Sequence, residues 1–450
     1  MSPFGFTPDN NDEENPKPDD FAAMMRQMQE QIQKQFQELG INPAGFINPF
    51  ANFAPGAKGQ QEALPIATVR DTAKKFAQAQ GSQPLGTKDI TVVNNALEIA
   101  ELWLNEATVF PATAIGAAHT SLSRLDWVDE TLPGWQATME PLATGLATAI
   151  SSLLDQAVAG QGENLGVEGG AEALAGSMGA IAGLLRSFIG SMIATQLGQA
   201  IGAISANATG AHDVALPLLD PARPILIPEN IEKWSADLEI PKTEVYLFHA
   251  LREAAIARLF AHNPWIVSYM RSAIVDYGRG IRIDMEAIQR QAEEAMQNFD
   301  PSQINPESGE NSFNIALNNG IFTPEETSEQ RAALSKLETA LALVDGWADE
   351  VTTLAAGDRL PTITQLREMY RRQRATNAPA QQLFKSLLGL EVSPKLTREA
   401  SAFWQKVRES KDMASRDAIW SGILPSADEL LDPVAFLSST QVPDDLSGLL

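Results

Sequence analysis

Residues 243–265 read Thr243-Glu-Val-Tyr-Leu-Phe-His-Ala-Leu-Arg-Glu-Ala-Ala-Ile-Ala-Arg-Leu-Phe-Ala-His-Asn-Pro-Trp265. Apolar residues recur at helical spacing on one side of this stretch, and most of the other positions are Leu or Ala, so the predicted helix is apolar nearly all round. Such a helix lies inside a helical protein rather than at its rim. Pro264 predicts its end, because the residue before a proline is disfavoured in the α region. We therefore expect an all-α, multi-helix bundle built around a central buried helix at 243–262.

The same helix carries ionisable side chains within its apolar surroundings. They are His249, Arg252, Glu253, Arg258 and His262. A buried charge is costly unless it is paired and hydrogen-bonded, and perturbed ionisable groups cluster at functional sites. The central helix is therefore also where we expect a functional site.

The composition excludes several classes of protein. The chain has 450 residues, a formal net charge of -24 and no cysteine. A phosphate backbone or an anionic membrane surface would be repelled, so we expect no nucleic-acid and no membrane partner. Without cysteine there is no disulfide, no thiolate nucleophile and no Cys-based zinc site. The acidic N-terminus does not resemble a secretory signal, and we expect a cytoplasmic protein.

The chain divides into four predicted parts. Residues 1–62 are acidic and rich in Pro, Asn and Gln, and we expect a disordered tail with one short helix at 21–39. That helix either docks on the body of the protein or binds a partner from a tether. We expect a helical region with buried glycine-rich helices at 63–215, the region that carries the site at 216–436, and a C-terminal tail at 437–450.

A glycine-rich segment at 171–208 has an unusual composition. No Asp, Glu, Lys or Arg occurs between Arg186 and Asp213. A membrane span needs about 20 predominantly apolar residues, and this segment approaches that length. Its Gln, Ser and Thr residues and its lack of a basic flank instead favour helices packed inside a soluble core. Glycines four apart, such as Gly198 and Gly202, let two helix backbones approach closely.

Three further patterns predict local structure. Trp127 and Trp135 flank a Pro-Gly pair, which favours a packed helix–loop–helix corner over a ligand site. Thr323-Pro-Glu-Glu326 supplies the N-cap, N1 and N3 residues of a helix that we expect to run to about residue 356. The four prolines of residues 216–228 exclude a helix there and predict an extended crossing.

Three stretches resemble one protein family. They read Trp127-Val-Asp-Glu-Thr-Leu-Pro-Gly-Trp135, Arg252-Glu-Ala-Ala-Ile-Ala-Arg-Leu-Phe-Ala-His-Asn-Pro-Trp265 and Leu341-Ala-Leu-Val-Asp-Gly-Trp-Ala-Asp-Glu350. Together with residues at similar spacing across roughly 90–436, they are similar to the zincin-like metallopeptidases of the actinobacterial "putative hydrolase" family. The resemblance implies a zincin-like helical bundle, zinc as the cofactor, and a zinc-dependent metalloprotease or hydrolase activity.

The resemblance also implies where the site lies. In a His-Glu-x-x-His helix, two histidines four apart bind zinc and the glutamate activates water. Glu253 stands at the position of that catalytic glutamate, but Arg252 and Ile256 stand at the two histidine positions, and neither side chain can bind zinc. Asp345 lies where family members tend to carry a glutamate that would serve as a third ligand. The His-Glu-x-x-His motif is thus degenerate in this chain.

Two arrangements of the degenerate site remain open from the sequence. Arg252, Glu253, Asp345 and Glu350 could form a buried ion network in place of the metal, and we then expect no zinc ligands. Alternatively His249, which shares a helix side with Glu253, could form a relocated metal site with Glu253 and Asp345. The only dense basic patch, at 367–374, predicts a solvated helix end that neutralises nearby acid.

The sequence therefore predicts a zincin-like family protein with a lost or altered zinc site. The alternative is a non-enzymatic helical scaffold or binding protein that uses the former active-site cleft. In either case the expected partner is a peptide or a protein that the sequence does not identify. Other catalytic schemes find no support, because the chain has no Gly-x-Ser-x-Gly elbow and no phosphate-binding Gly-x-x-x-x-Gly-Lys motif.

Overall fold

A computed structural model describes residues 63–113, 120–162, 187, 190–281, 327–376 and 396–439. These ranges contain helices and loops and no β-strand, so the all-α prediction is confirmed. The predicted N-terminal tail and its helix at 21–39 lie outside the described residues. All described residues belong to one compact unit, and the predicted division near residue 215 stays a prediction.

The helices of the described ranges are numbered in chain order. They are α1 (Ile66–Ala79), α2 (Thr87–Leu104), α3 (Arg124–Gly162), α4 (190–205), α5 (Pro228–Trp234), α6 (Lys242–His262), α7 (Pro264–Arg279), α8 (Ser328–Ala356), α9 (Ile363–Thr376), α10 (Thr397–Ser410), α11 (Met413–Ala418) and α12 (Pro433–Ser439). Short 3-10 turns occur at Gly357–Arg359, Ile419–Ser421 and Glu429–Leu431.

Helix α6 lies at the centre of the described unit, as the sequence predicts. Every residue from Val245 to Phe260 is buried except Leu247, and α2, α7 and α8 pack around it. Full burial of a side chain such as Phe248 contributes about 1.5–3 kcal/mol, so the all-round apolar surface fixes this helix inside. The helix ends at His262, and Pro264 begins α7.

The predicted corner at Pro133-Gly134 is wrong, because α3 continues through it. Helix α3 runs unbroken from Arg124 to Gly162 with Pro133 inside. A proline removes one hydrogen bond from the helix interior, and tertiary packing compensates for that loss here. Trp127 and Trp135 are fully buried with ring centroids 6.5 Å apart, and a Cβ added at Gly134 would lie 2.2 Å from the carbonyl oxygen of Leu218. The two tryptophans are core residues, as expected.

Helix α4 packs against α1 through its glycines. A Cβ added at Gly198 would lie 2.6 Å from the Cβ of Thr72, and one at Gly202 would lie 2.7 Å from the carbonyl oxygen of Ala73. The predicted close approach of helix backbones is thus confirmed for this pair. No helix in the described ranges is long and apolar enough to cross a membrane.

The segment before α5 is extended, as its prolines predict. Leu226 forms isolated bridges with Ser121 and with Gly210. Its backbone N–H donates to the carbonyl of Thr120 over 2.8 Å, and the N–H of Ile227 donates to the carbonyl of Thr209 over 2.9 Å. The segment therefore ties the start of α3 to the loop that follows α4.

Helix α8 begins four residues later than the sequence predicts. Its N-cap is Thr327, whose hydroxyl accepts from the backbone N–H of Gln330, while the Gln330 side chain accepts from the Thr327 N–H. This is the capping box expected at Thr323, made by a second Thr with a glutamine three residues on. Residues 321–326 themselves lie outside the described residues.

Candidate functional site

A buried ion pair joins the central helix to α8. Nη2 of Arg252 lies 2.5 Å from Oδ1 of Asp345, and both side chains are less than one-tenth exposed. Nη1 of Arg252 lies 3.8 Å from Asp349, one turn further along α8. The guanidinium also lies over the ring of Tyr370, 4.2 Å from its centroid. Arg252 is therefore held by carboxylates on one side and by an aromatic ring from α9 on the other.

Asp349 is the most heavily bonded carboxylate of this cluster. Arg367 donates to it from Nε and Nη2 at 3.1 and 2.7 Å, Arg371 donates from Nη2 at 2.5 Å, and the Ser401 hydroxyl donates at 2.7 Å. Burial by itself would raise the pKa of Asp349. The hydrogen bonds and charge of Arg367, with the charges of Arg252 and Arg371, outweigh burial and hold that pKa well below its usual range.

The cluster continues through α9 to the loop after α4. Nη1 of Arg374 donates to the backbone carbonyl of Asp213 and to the Tyr370 hydroxyl, and Nη2 of Arg374 lies 3.7 Å from Asp345. The Tyr370 hydroxyl donates to Oδ1 of Asp213 over 3.2 Å. Oδ2 of Asp213 accepts from the Thr209 hydroxyl at 2.8 Å. A chain of polar contacts thus runs from Arg252 to Thr209.

His249 lies at the inner end of this chain. Its Nδ1 is 3.0 Å from the Thr209 hydroxyl oxygen. Because the single hydroxyl proton of Thr209 goes to Asp213, the histidine donates and carries its proton on Nδ1. Nε2 has no hydrogen-bond partner in the described part of the chain. Burial among aromatic rings, including Trp234, lowers the pKa of His249 to about 4, and the imidazole is therefore neutral at pH 7.

Glu253 lies apart from Arg252, although the two are neighbours in sequence. Its carboxylate accepts from the backbone N–H groups of Ala211, His212 and Ile225 at 3.0–3.1 Å, and it lies 2.8 Å from Nδ1 of His212. A Cβ added at Gly210 would lie 2.3 Å from its Oε2, so glycine is needed for this approach. Four donors thus hold both oxygens of the glutamate that matches the catalytic position of the family.

Glu350 belongs to a different buried cluster. Its Oε1 accepts from Nε of Arg408 at 2.5 Å and lies 4.0 Å from Arg416. Arg416 in turn pairs with Asp417, which accepts from the indole N–H of Trp347 at 2.9 Å. Of the four residues in the predicted network, the structure therefore brings together Arg252 and Asp345, and places Glu253 and Glu350 with other partners.

The predicted basic patch on α9 is the part of the site that sequence reasoning underestimated. Arg367, Arg371 and Arg374 point toward Asp349 and Asp345 instead of only covering a solvated helix end. Their spacing of four and three residues was the available signal, since it places them on one side of a helix. His212 gave no signal, because it lies in a loop far from the motif.

The side chains at the family's zinc position do not fit zinc. Zinc in proteins is held by nitrogen, sulfur or oxygen lone pairs. A guanidinium has none to offer at Arg252, the side chain of Ile256 is aliphatic and buried, and Asp345 is paired with Arg252. His249, Glu253 and Asp345, the alternative set, each have other partners. Within the described ranges no group of three or more His, Asp or Glu side chains is placed to hold a metal ion.

Comparison with known proteins gives one family and one fold. A family model described as zincin-like metallopeptidase matches residues 66–437. A solved structure from Chloroflexus aurantiacus, described as "a putative hydrolase with a novel fold", is similar with a TM-score of 0.52 and 16% sequence identity. The similarity covers 84% of this chain and 100% of that chain. A search of curated proteins finds no match.

Proposed function

Because the chain belongs to the zincin-like metallopeptidase family, we propose that it is a member whose zinc site has been replaced by a buried ion pair. The observation that carries this proposal is the contact of Arg252 with Asp345, at the positions of the first histidine and the third ligand. A guanidinium supplies a permanent positive charge where a cation would otherwise compensate the carboxylate. The pair therefore keeps a buried carboxylate neutralised without a metal.

The environment of Glu253 supports the same conclusion. A general base must reach the proton that it removes, directly or through one water. Glu253 instead directs its oxygens at three backbone N–H groups and the ring of His212. We assign it a structural role, in which it fixes the loop at 209–213 against residue 225.

One role for the protein follows from this proposal, and a second candidate competes with it. With the zinc site replaced, the chain acts as a helical scaffold or binding protein for a peptide or protein partner in the cytoplasm; the lack of cysteine supports that location. The second candidate is a hydrolase with a relocated metal site at His249, Glu253 and Asp345. The unpaired Nε2 of His249 favours it, since a ligating histidine holds its other ring nitrogen in a hydrogen bond, but Glu253 and Asp345 would first have to leave their present partners.

Metal content tests the proposal directly. The purified protein is washed with a chelator, incubated with Zn²⁺, dialysed and analysed by mass spectrometry for metal. We expect the parent protein to hold no stoichiometric zinc. The double variant Arg252→His/Ile256→His recreates two histidines four apart beside Asp345, and we expect it to take up about one Zn²⁺ per chain.

The single variant Ile256→His is the matched control, because it adds one histidine and keeps the Arg252–Asp345 pair. We expect it to remain without zinc. Stoichiometric zinc in the parent that disappears in His249→Ala would contradict the proposal and establish the relocated site instead.

A further inference from the structure

Helix α9 presents three arginines along one side. Arg367, Arg371 and Arg374 are spaced by four and three residues, which places them in a row on a helix surface. All three contact the carboxylates of α8, yet their side chains remain 22%, 28% and 14% exposed. The row therefore lies between the buried ion cluster and the solvent.

The cluster behind this row has more positive than negative groups. Its members are the guanidinium groups of Arg252, Arg367, Arg371 and Arg374 and the carboxylates of Asp213, Asp345 and Asp349. Among the described residues these four positive charges face three negative charges, and Glu368, which also interacts with Arg371, is engaged by Arg372. In the described part of the chain the nearest carboxylate to Arg374 is that of Asp345, at 3.7 Å, which is too long for a hydrogen bond. Arg374 therefore has the longest carboxylate contact of the three arginines.

The row also has N–H donors to spare. A guanidinium carries five N–H groups. Toward the described residues, Arg371 donates from Nη2 to Asp349 and Ser401, and Arg367 donates from Nε and Nη2 to Asp349. Nε of Arg374 is buried and has no hydrogen-bond partner within the described ranges. A buried donor without a partner costs free energy, so a ligand that accepts from it is favoured.

We propose that Arg367, Arg371 and Arg374 form a binding site for an oxyanion, either a carboxylate or a phosphate group. Both groups are planar or tetrahedral acceptors that match the paired donors of arginine, and both carry a negative charge. The proposal involves no metal and neither Glu253 nor Ile256, although Arg252 and Asp345 of the proposed ion pair belong to the same cluster. It assigns a use to the row beyond neutralising Asp345 and Asp349.

The overall charge of the protein makes this site easy to test. A chain with a net charge of -24 repels anions at long range, and about 150 mM salt screens that repulsion beyond roughly 8 Å. Anion binding therefore requires a local group of donors. On basic proteins, non-specific attraction of anions complicates such measurements. The negative net charge of this protein repels anions instead.

Calorimetric titration with inorganic phosphate and with an oligo-aspartate peptide tests the proposal. We expect the full-length protein to bind at least one of them, and the one that binds better identifies the kind of oxyanion. Arg371→Gln removes donors and should weaken binding about tenfold or more, the effect expected for a charge-assisted hydrogen bond. Arg279→Gln is the matched control, because Arg279 is 76% exposed at the end of α7 and its loss changes the net charge equally.

Arginine modification gives a second measurement on the unaltered protein. Phenylglyoxal reacts with accessible arginines, and peptide mass spectrometry reports each site. Phosphate or oligo-aspartate should slow the reaction at Arg371 and leave the reaction at Arg279 unchanged. The proposal is wrong if neither anion binds the parent protein, if both variants weaken binding equally, or if neither anion protects Arg371.

Discussion

Nη2 of Arg252 lies 2.5 Å from Oδ1 of Asp345, and this contact joins the middle of α6 to the middle of α8 inside the protein. Two charges at that distance in a low-dielectric interior are strongly coupled, and each depends on the other for its burial. The behaviour of variants on either side of the pair follows from that dependence.

Removal of one partner of the Arg252–Asp345 pair should lower the free energy of unfolding much more than replacement of both. We expect Arg252→Ala to lower the free energy of unfolding by roughly 3–5 kcal/mol, since it leaves Asp345 buried without its closest cation. Arg252→Met/Asp345→Leu replaces the pair with apolar side chains and should be clearly more stable than Arg252→Ala. Urea unfolding measures all three proteins. Equal stability of Arg252→Ala and the parent would contradict the pairing.

The contacts of Glu253 with backbone amides predict that its substitution lowers the stability of the fold, whether or not the protein has an activity. Glu253→Gln places an amide NH₂ among N–H donors, so at least one backbone N–H loses its acceptor, at about 1–3 kcal/mol for each. Glu368→Gln, on the exposed side of α9, is the control and should leave the urea midpoint unchanged. A stable Glu253→Gln variant would exclude the structural role.

Gly210 predicts a steric effect on the same contact. Gly210→Ala places a methyl group 2.3 Å from Oε2 of Glu253 and 3.0 Å from the carbonyl oxygen of Ile225, and overpacking of this kind costs roughly 1–3 kcal/mol. Gly422→Ala is the matched control, because the nearest atom to its added methyl group is 3.8 Å away. In thermal unfolding monitored by circular dichroism, Gly210→Ala should have a lower Tm than the parent protein, and Gly422→Ala should have the same Tm as the parent.

His249 predicts how stability changes with pH. Burial lowers its pKa from 6.5 to about 4 in the folded protein. Between those values the unfolded chain binds a proton that the folded chain does not, so the free energy of unfolding falls as pH falls. The slope is steepest midway between the two values, where it approaches about 1.4 kcal/mol per pH unit.

The His249→Phe variant isolates this contribution. It removes the titrating group and keeps an aromatic ring beside Trp234, Phe248 and Tyr370. The difference in unfolding free energy between parent and variant should change from pH 7 to pH 4 in favour of the variant. A difference that is constant over this range would show that His249 is accessible to protons in the folded state.

The central helix could be predicted because its signal is local. Consecutive residues form its apolar surface. Pro264 ends it because a proline disfavours the helical conformation of the residue before it in any fold. The path of α3 could not be predicted from its prolines, because the helix continues through Pro133, and the close approach of Gly134 to Leu218 joins it to a part of the chain that is distant in sequence. The start of α8 was misplaced because Thr323 and Thr327 both satisfy the rules for an N-cap.

The site was predicted in part for similar reasons. Arg252 and Asp345 could be paired because a resemblance to the family placed both at metal positions. The partners of Glu253 could not be predicted, since three of them are backbone N–H groups, which every residue type except proline carries. Glu350 and Asp349 are neighbours on α8 but point about 100° apart, so only the second reaches Arg252.

The bonds of Glu253 also bear on how the protein assembles. One side chain of α6 satisfies amides from residues 211, 212 and 225, which belong to a separate, earlier part of the chain. Neither part is complete alone. Without the loop the carboxylate is a buried charge without donors, and without the carboxylate the N–H groups of His212 and Ile225 lose their acceptor, while that of Ala211 keeps only the carbonyl of Ile225 at 3.3 Å. The loop and the central helix therefore form one cooperative unit of folding, and the amide protons of His212 and Ile225 become open to exchange together when Glu253 leaves them.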